Sequence, residues 1–353
     1  MSERPEPRGP VLVLVLLVLL ALLAVAWGAG YQAPDEPVLG APAAADVPAS
    51  PGPPAPVAPA PASPDPVAPS VPPTGSEVPE VPEVPGTPAA PTATLPGGRT
   101  GVFDGNRFLV AHYGTAGTGA LGVLGETPPE RAEAAVRRAA RPFWRPGQPV
   151  QPVYELIVTV ADARPGPDGD YSHDIDRADV QRYLDAARAH GVLLLLDLQP
   201  GRSDFLSVAK RWEWALRDPY VGLALDPEWR MGPREVPGRT IGHVRAREVN
   251  RVSGWLTGLI TRERLPEKLF VLHQFRTDML PDIARVRDRP GLALVQHVDG
   301  FGTRGQKLAT FHAVAHPQRF AMGFKLFYDE DVRRMGPAAV HAIRPRVRFV
   351  SFQ

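Results

Sequence analysis

Two carboxylates, Asp226 and Glu228, stand at the end of an apolar run in the stretch 220–229, which reads YVGLALDPEW. Side chains two apart on a strand share one side, with Cα atoms roughly 6 to 7 Å apart, so a strand ending this way turns both groups toward one space. Like charges held that close push one pKa upward. One carboxyl then keeps its proton near neutrality while the other stays negative, which is the division of labour of acid/base catalysis.

These groups need a scaffold that aims strand ends at a common point. After residue 98 the chain alternates apolar, strand-like runs with amphipathic stretches. The patterning predicts eight strands, at 108–113, 153–161, 192–199, 221–226, 269–275, 292–299, 320–328 and 347–352. Helices are expected near 129–141, 176–190, 204–217, 244–261, 278–288, 304–316 and 330–342. Eight strands with intervening helices in about 255 residues have the size and order of an α/β fold, the (β/α)8 TIM barrel. The chain stops at Gln353, so this barrel lacks a clear final helix. A doubly wound sheet is the rival, but no GxGxxG follows the first strand, and His112 to Gly117 lacks that fingerprint.

In such a barrel chemistry sits at the C-terminal strand ends. The polar residues there are His112 and Tyr113, Asp162, Asp197 and Gln199, Asp226 and Glu228, His273 and Gln274, Gln296 with His297 and Asp299, Lys325 with Tyr328 and Asp329, and finally Gln353. Asp162, Asp299 and Asp329 each have a plainer role available as helix caps or loop residues.

The segment VGLALDPEW resembles the strand-four signature DGxDxDxE of chitinase-like barrels, glycoside hydrolase family 18, and the D-x-E strand of the family 25 lysozymes. Gly222, Asp226 and Glu228 match, while Val221 and Ala224 stand where the chitinase-like pattern has its first two aspartates. The resemblance implies that Glu228 is the general acid and that Asp226 tunes it and holds substrate or intermediate. The lysozyme-like pattern also carries an Asp on strand one and another near the end of the barrel, where this chain has His112 and Gln353. Glycoside cleavage suits such a pair: one carboxyl protonates the leaving oxygen and the other stabilises the oxocarbenium-like state. Substrate contacts are then expected from Asp197, Gln199, Tyr113, Trp229, His273, His297, Asp299, Lys325 and Tyr328. Trp212 and Trp214 are further stacking faces, with packing as the plainer role. No cofactor or metal is called for in this reading.

Two other classes stay open. His112, His273 and His297 with Asp226 or Asp299 form a set that would ligate a metal and activate water. Strand one lacks the H-x-H pair of amidohydrolase-like barrels, strand four has no bridging Lys and strand eight no Asp. The alternative to both enzymes is a degenerate barrel that binds glycan without cutting it.

The first 98 residues have another composition. Positions 1–10 form an n-region carrying Arg4 and Arg8, and 11–30 is a signal peptide or signal anchor whose core, VLVLVLLVLLALLAVAW at 11–27, is near the minimum for crossing a bilayer. Residues 31–98 hold 21 of the 43 prolines and no Lys or Arg. They read as a disordered Pro/Ala-rich linker, on the order of 200 Å if extended at about 3.1 Å per residue. Residues 99–353 form the barrel domain. The chain contains no cysteine, which excludes a lipid-modified N-terminal cysteine and disulfides. The expectation is an extracytoplasmic bacterial envelope protein, held at the membrane through residues 11–27 or secreted. Its partner would be a polysaccharide or peptidoglycan-type glycan. Beyond residue 98 there are 37 basic and 29 acidic side chains. This excess favours anionic partners, but no aromatic-interleaved basic run points to nucleic acid.

Overall fold

The computed structural model describes residues 91–353. The stretch 1–10, the membrane segment within 11–30 and the linker as far as residue 90 lie outside the described residues. Among the described residues no helix is long and apolar enough to cross a membrane.

Eight parallel strands close into a barrel: β1 (Phe108–Gly114), β2 (Val150–Ala161), β4 (Leu193–Leu198), β5 (Val221–Leu225), β6 (Lys268–Gln274), β7 (Leu292–Val298), β8 (Ala321–Leu326) and β9 (Val347–Phe352). Sequence neighbours pair throughout, and β9 returns to β1 with Val110 opposite Val350. A short β3 (Ser172–Asp174), absent from the sequence reading, runs antiparallel to the end of β2. The strands are buried on both faces, which is why runs such as Leu193–Leu198 show no polar alternation.

The helices form where apolar spacing and end signals agree. In α5 (Ala246–Glu263) the buried face is Val249, Val252, Leu256, Leu259 and Ile260. The helix α2 (Arg177–His190) stops at Gly191 in the left-handed region, with φ of 64°. Thr303 and Gln306 close a capping box on α6 (Arg304–Val314). Shorter pieces are α1 (Pro129–Ala140), α3 (Phe205–Arg211), α4 (Glu213–Leu216) and α7 (Pro337–His341).

Three expectations are corrected. The helix expected at 278–288 is two single 3-10 turns, Thr277–Met279 and Ile283–Arg285. Leu280 precedes Pro281 and takes φ −145°, ψ 72°, so the helical run is broken there. The helix expected at 330–342 shrinks to α7, which starts where Gly336 meets Pro337 at the first helical position. The linker expected up to residue 98 is ordered at its end. Thr92 N–H donates to Arg264 O at 3.0 Å, and Leu95 is buried with Val102 against Leu193 and Leu269. These residues close the N-terminal end of the barrel.

Candidate active site

Along each strand, the inward residue two positions past an apolar one is polar at the C-terminal end. Ala111 is followed by Tyr113, Val153 by Glu155, Leu195 by Asp197, Ala224 by Asp226, Val271 by His273, Val295 by His297, and Phe349 by Ser351. Lys325 on β8 joins them, and every member of this layer is buried. Gly323 belongs to the same construction: a Cβ there would lie 2.5 Å from Cδ2 of His297, so the absent side chain makes room for the imidazole.

Asp299 is the hub. One carboxylate oxygen accepts from His273 Nδ1 at 2.7 Å and the other from His297 Nδ1 at 2.6 Å. Lys325 Nζ stands 3.6 Å from it and 3.5 Å over the Tyr113 ring. Burial alone would raise the Asp299 pKa, but the charges of His273 and Lys325 hold it well below the usual carboxylate range. His273 is the mirror case. Burial opposes its charge, yet Asp299 and Asp197 lift it well above the ordinary imidazole value, so it is a cation. His297 goes the other way, lowered chiefly by burial. It is therefore neutral, giving Nδ1–H to Asp299 and accepting the Ser351 Oγ–H at Nε2 across 3.2 Å.

The far side of His273 faces acceptors. Its Nε2 lies 3.1 Å from Glu155 Oε1 and 3.9 Å from Asp197 Oδ1, close enough for ion pairing but not aligned for a hydrogen bond. Both Glu155 oxygens and Asp197 Oδ1 thus make no hydrogen bond among the described residues. Glu155 is nonetheless ionised: burial raises its pKa, and the adjoining His273 outweighs that and brings it below the ordinary value. Asp197 is pushed up to about 7, first by burial, and accepts from the Tyr113 hydroxyl at 3.0 Å. That hydroxyl in turn accepts from Gln199 Nε2 at 3.2 Å.

Asp226 and Glu228 are brought together by a turn instead of a strand. β5 ends at Leu225; Asp226 caps the 3-10 turn Pro227–Trp229, and its Oδ1 accepts from Glu228 N–H at 3.1 Å. The order D-P-E is a helix-start signature, with cap, proline at the first position and acid in the first turn. The two-apart strand geometry expected for this pair is therefore replaced by a cap geometry. Burial raises Asp226 to about 6. Burial, then the negative charges of Asp226 and Asp299, raise Glu228 to about 8. Gly222 has its own structural reason, since a Cβ there would come within 2.5 Å of the Leu269 carbonyl oxygen on β6.

Several expected residues stand elsewhere. His112 points to the outer layer, its ring edge-on to Phe352 and Tyr328, and burial lowers it to about 4. Tyr328 is 38% exposed and stacks on Phe352 at 5.4 Å beneath Arg334, away from the inward layer. Trp229 sits half-buried on the turn without an aromatic partner among the described residues. Trp212 is core, its Nε1–H donating to Thr159 Oγ1 at 3.0 Å, and Trp214 lies under Arg177. Asp162, in the loop after β2, pairs with His173 on β3. The reading missed Glu155 and Ser351. A lone acid inside the run VYELIVTV was a usable signal for the first, whereas one serine among apolar residues gave none for the second.

The metal set loses His112, but His273, His297 and Asp299 keep ligand atoms within 4.8 Å of one another. His273 Nδ1 and His297 Nδ1 are both hydrogen-bonded to Asp299, so a cation held through those atoms would have to replace both bonds.

No family model matches this chain, and no curated protein matches it. Among solved structures, an alpha-amylase from Lactobacillus plantarum is similar at 12% identity and a TM-score of 0.27, covering 65% of this chain and 53% of that one. The chain thus spans about half the length of that protein, and a likeness of this degree assigns neither activity nor substrate.

Proposed function

We propose that this chain is a glycoside-hydrolase-like barrel that cleaves a cell-wall or extracellular polysaccharide by carboxylate acid/base chemistry. One arrangement carries the reading: just past the end of β5, Asp226 caps the turn that bears Glu228, its Oδ1 accepting the Glu228 N–H at 3.1 Å, and burial with that neighbouring charge raises Glu228 to about 8 while Asp226 sits near 6. At neutral pH Glu228 holds the proton that a leaving glycosidic oxygen needs, and Asp226 supplies the negative charge that steadies the oxocarbenium-like state. The Glu155 oxygens and Asp197 Oδ1, which accept no hydrogen bond among the described residues, add acceptors for the hydroxyl donors of a sugar. With the apolar segment at 11–27 the enzyme would work outside the cytoplasmic membrane, tethered or released.

The site also favours a second reading, a metal-dependent hydrolase, through the His273, His297 and Asp299 group. One experiment separates the two. The full-length protein is given peptidoglycan and chitin-type oligomers, and released sugar is measured with and without chelator. Chelator-insensitive release that disappears in Glu228→Gln is the expected result. Release abolished by chelator or by His273→Ala, and retained in Glu228→Gln, would replace the carboxylate mechanism with the metal one. Binding without release in the parent would make the barrel a glycan-binding module.

A further inference from the structure

An open groove of ≈ 620 Å³ lies between the start of α5 and the segment after β6. Arg245, Arg247, Arg285 and Arg287 line it together with Asn250 and Asp282. All four arginines are exposed, and none is within ion-pair distance of a carboxylate among the described residues. The one acid in the lining is already engaged, since Asp282 Oδ1 accepts the Ala246 N–H at 2.9 Å at the beginning of α5. Asn250 fixes the opposite wall by donating to Arg285 O at 2.9 Å and accepting from Arg287 N–H at 2.8 Å. Four guanidinium groups without an ion pair among the described residues thus line one groove against a single carboxylate, and guanidinium donors suit carboxylate and phosphate oxygens.

The groove is tied to the candidate acid. Gly242 N–H donates to the carbonyl oxygen of Glu228 itself at 2.6 Å, His243 N–H to Arg230 O at 3.1 Å, and Val244 N–H to Met279 O at 2.9 Å. Three residues lead from Gly242 to Arg245, so the first arginine lies at most about 11 Å of chain from the residue bonded to Glu228. Because α5 follows β5, its start lies on the face of the barrel where the strands end. We infer that this groove is a binding subsite for an anionic polysaccharide, holding carboxylate or phosphate groups of the same chain whose neighbouring residue enters the Glu228 site. The inference rests on the glycan reading for the identity of the chain it binds, and the cationic groove supplies the charge that reading left unspecified.

Three dextrans of equal length test it: unmodified, carboxymethylated and phosphorylated. Affinity is measured against full-length protein over a series of salt concentrations. The Glu228→Gln protein is included so that binding is read without turnover. The expected result is tight, salt-sensitive binding of one or both anionic dextrans and not of the neutral one; a preference between them identifies the anion. Arg245→Gln/Arg285→Gln should weaken that binding at least tenfold and flatten its salt dependence. Arg131→Gln/Arg138→Gln removes the same charge from α1, across the barrel, and should leave binding within twofold. Equal loss in both double variants would reduce the effect to net charge and overturn the subsite, as would equal binding of the neutral dextran. If the parent releases no sugar from any glycan while the groove variants still lose anion binding, the catalytic reading fails and the subsite stands.

Discussion

The two ends of the barrel interior are built by the same strands and differ in what two residues of progress along each strand brings. At the N-terminal end Leu109, Val153, Leu193, Leu195, Leu269 and Phe349 pack with Leu95 and Val102 as a plug. At the C-terminal end the same strands present Tyr113, Glu155, Asp197, His273 and Ser351, and the loop after β7 adds Asp299. The apolar end contributes stability by removing surface from water. The charged end does the opposite, because each buried carboxylate must be offset by His273 or Lys325 or must keep its proton. That contrast is what a reaction site requires, since groups whose pKa values are pushed apart are groups able to trade protons at neutral pH.

Substitutions at the two ends should therefore fail in different ways. The largest effect is expected from Glu228→Gln, which should lower turnover by about 10²- to 10⁴-fold, as for loss of a general acid, while glycan binding persists. Steady-state sugar release paired with a binding isotherm reads both, and an active variant would remove Glu228 from the mechanism. At the apolar end Leu195→Ala should cost about 2–5 kcal/mol of stability, measured by denaturant unfolding, and leave the pH profile of sugar release by the remaining folded protein unchanged. A moved profile would mean that the two ends are not separable.

The third expectation concerns pH. Activity should fall as pH rises through about 8, where Glu228 gives up its proton, and as pH falls through about 6, where Asp226 gains one. Asp226→Asn removes a negative charge that raises Glu228, so the alkaline limb should move to lower pH in kcat/KM profiles. An alkaline limb that stays in place would show that Glu228 is not the titrating acid.

A smaller effect lies in stability. A carboxyl whose folded pKa is raised makes the folded state the stronger proton binder, so its contribution to stability declines as pH climbs from the unfolded value near 4.5 to the folded value near 8. Glu228→Gln abolishes that decline. The variant should melt close to the parent at pH 4.5 and above it at pH 8, and thermal melts at the two pH values decide the matter. The smallest effect is expected from Tyr113→Phe. The ring under Lys325 is kept, but the hydroxyl that donates to Asp197 is lost, at about 1 kcal/mol and a few-fold in kcat.

Much of this contrast was legible in the residues. Unbroken apolar runs punctuated by helical periods specify a parallel barrel because its strands are covered on both sides, and the strand-end rule then selects Asp197, Asp226, His273, His297, Asp299 and Lys325 without coordinates. The misplacements have physical causes as well. His112 and Tyr113 are adjacent, and the alternation of a strand sends one outward and the other into the barrel; which is which depends on register against β2 and β9. Tyr328 and Trp229 are beyond their strands, where loop geometry and not alternation sets direction.

By itself the sequence determined the order of the eight barrel strands and the apolar faces that bury, because these depend on neighbours a few positions away, whereas the turn at Asp226 was expected as strand. Only the tertiary structure decided that Asp299 joins two histidines, that Glu155 lies against His273 although 118 positions separate them, and that four arginines, two at the start of α5 and two in the segment after β6, line one groove. The charge states follow the same division. A carboxylate's ordinary pKa is a property of its residue type, whereas its shift comes from burial and from charges that closure of the barrel brings within a few ångströms.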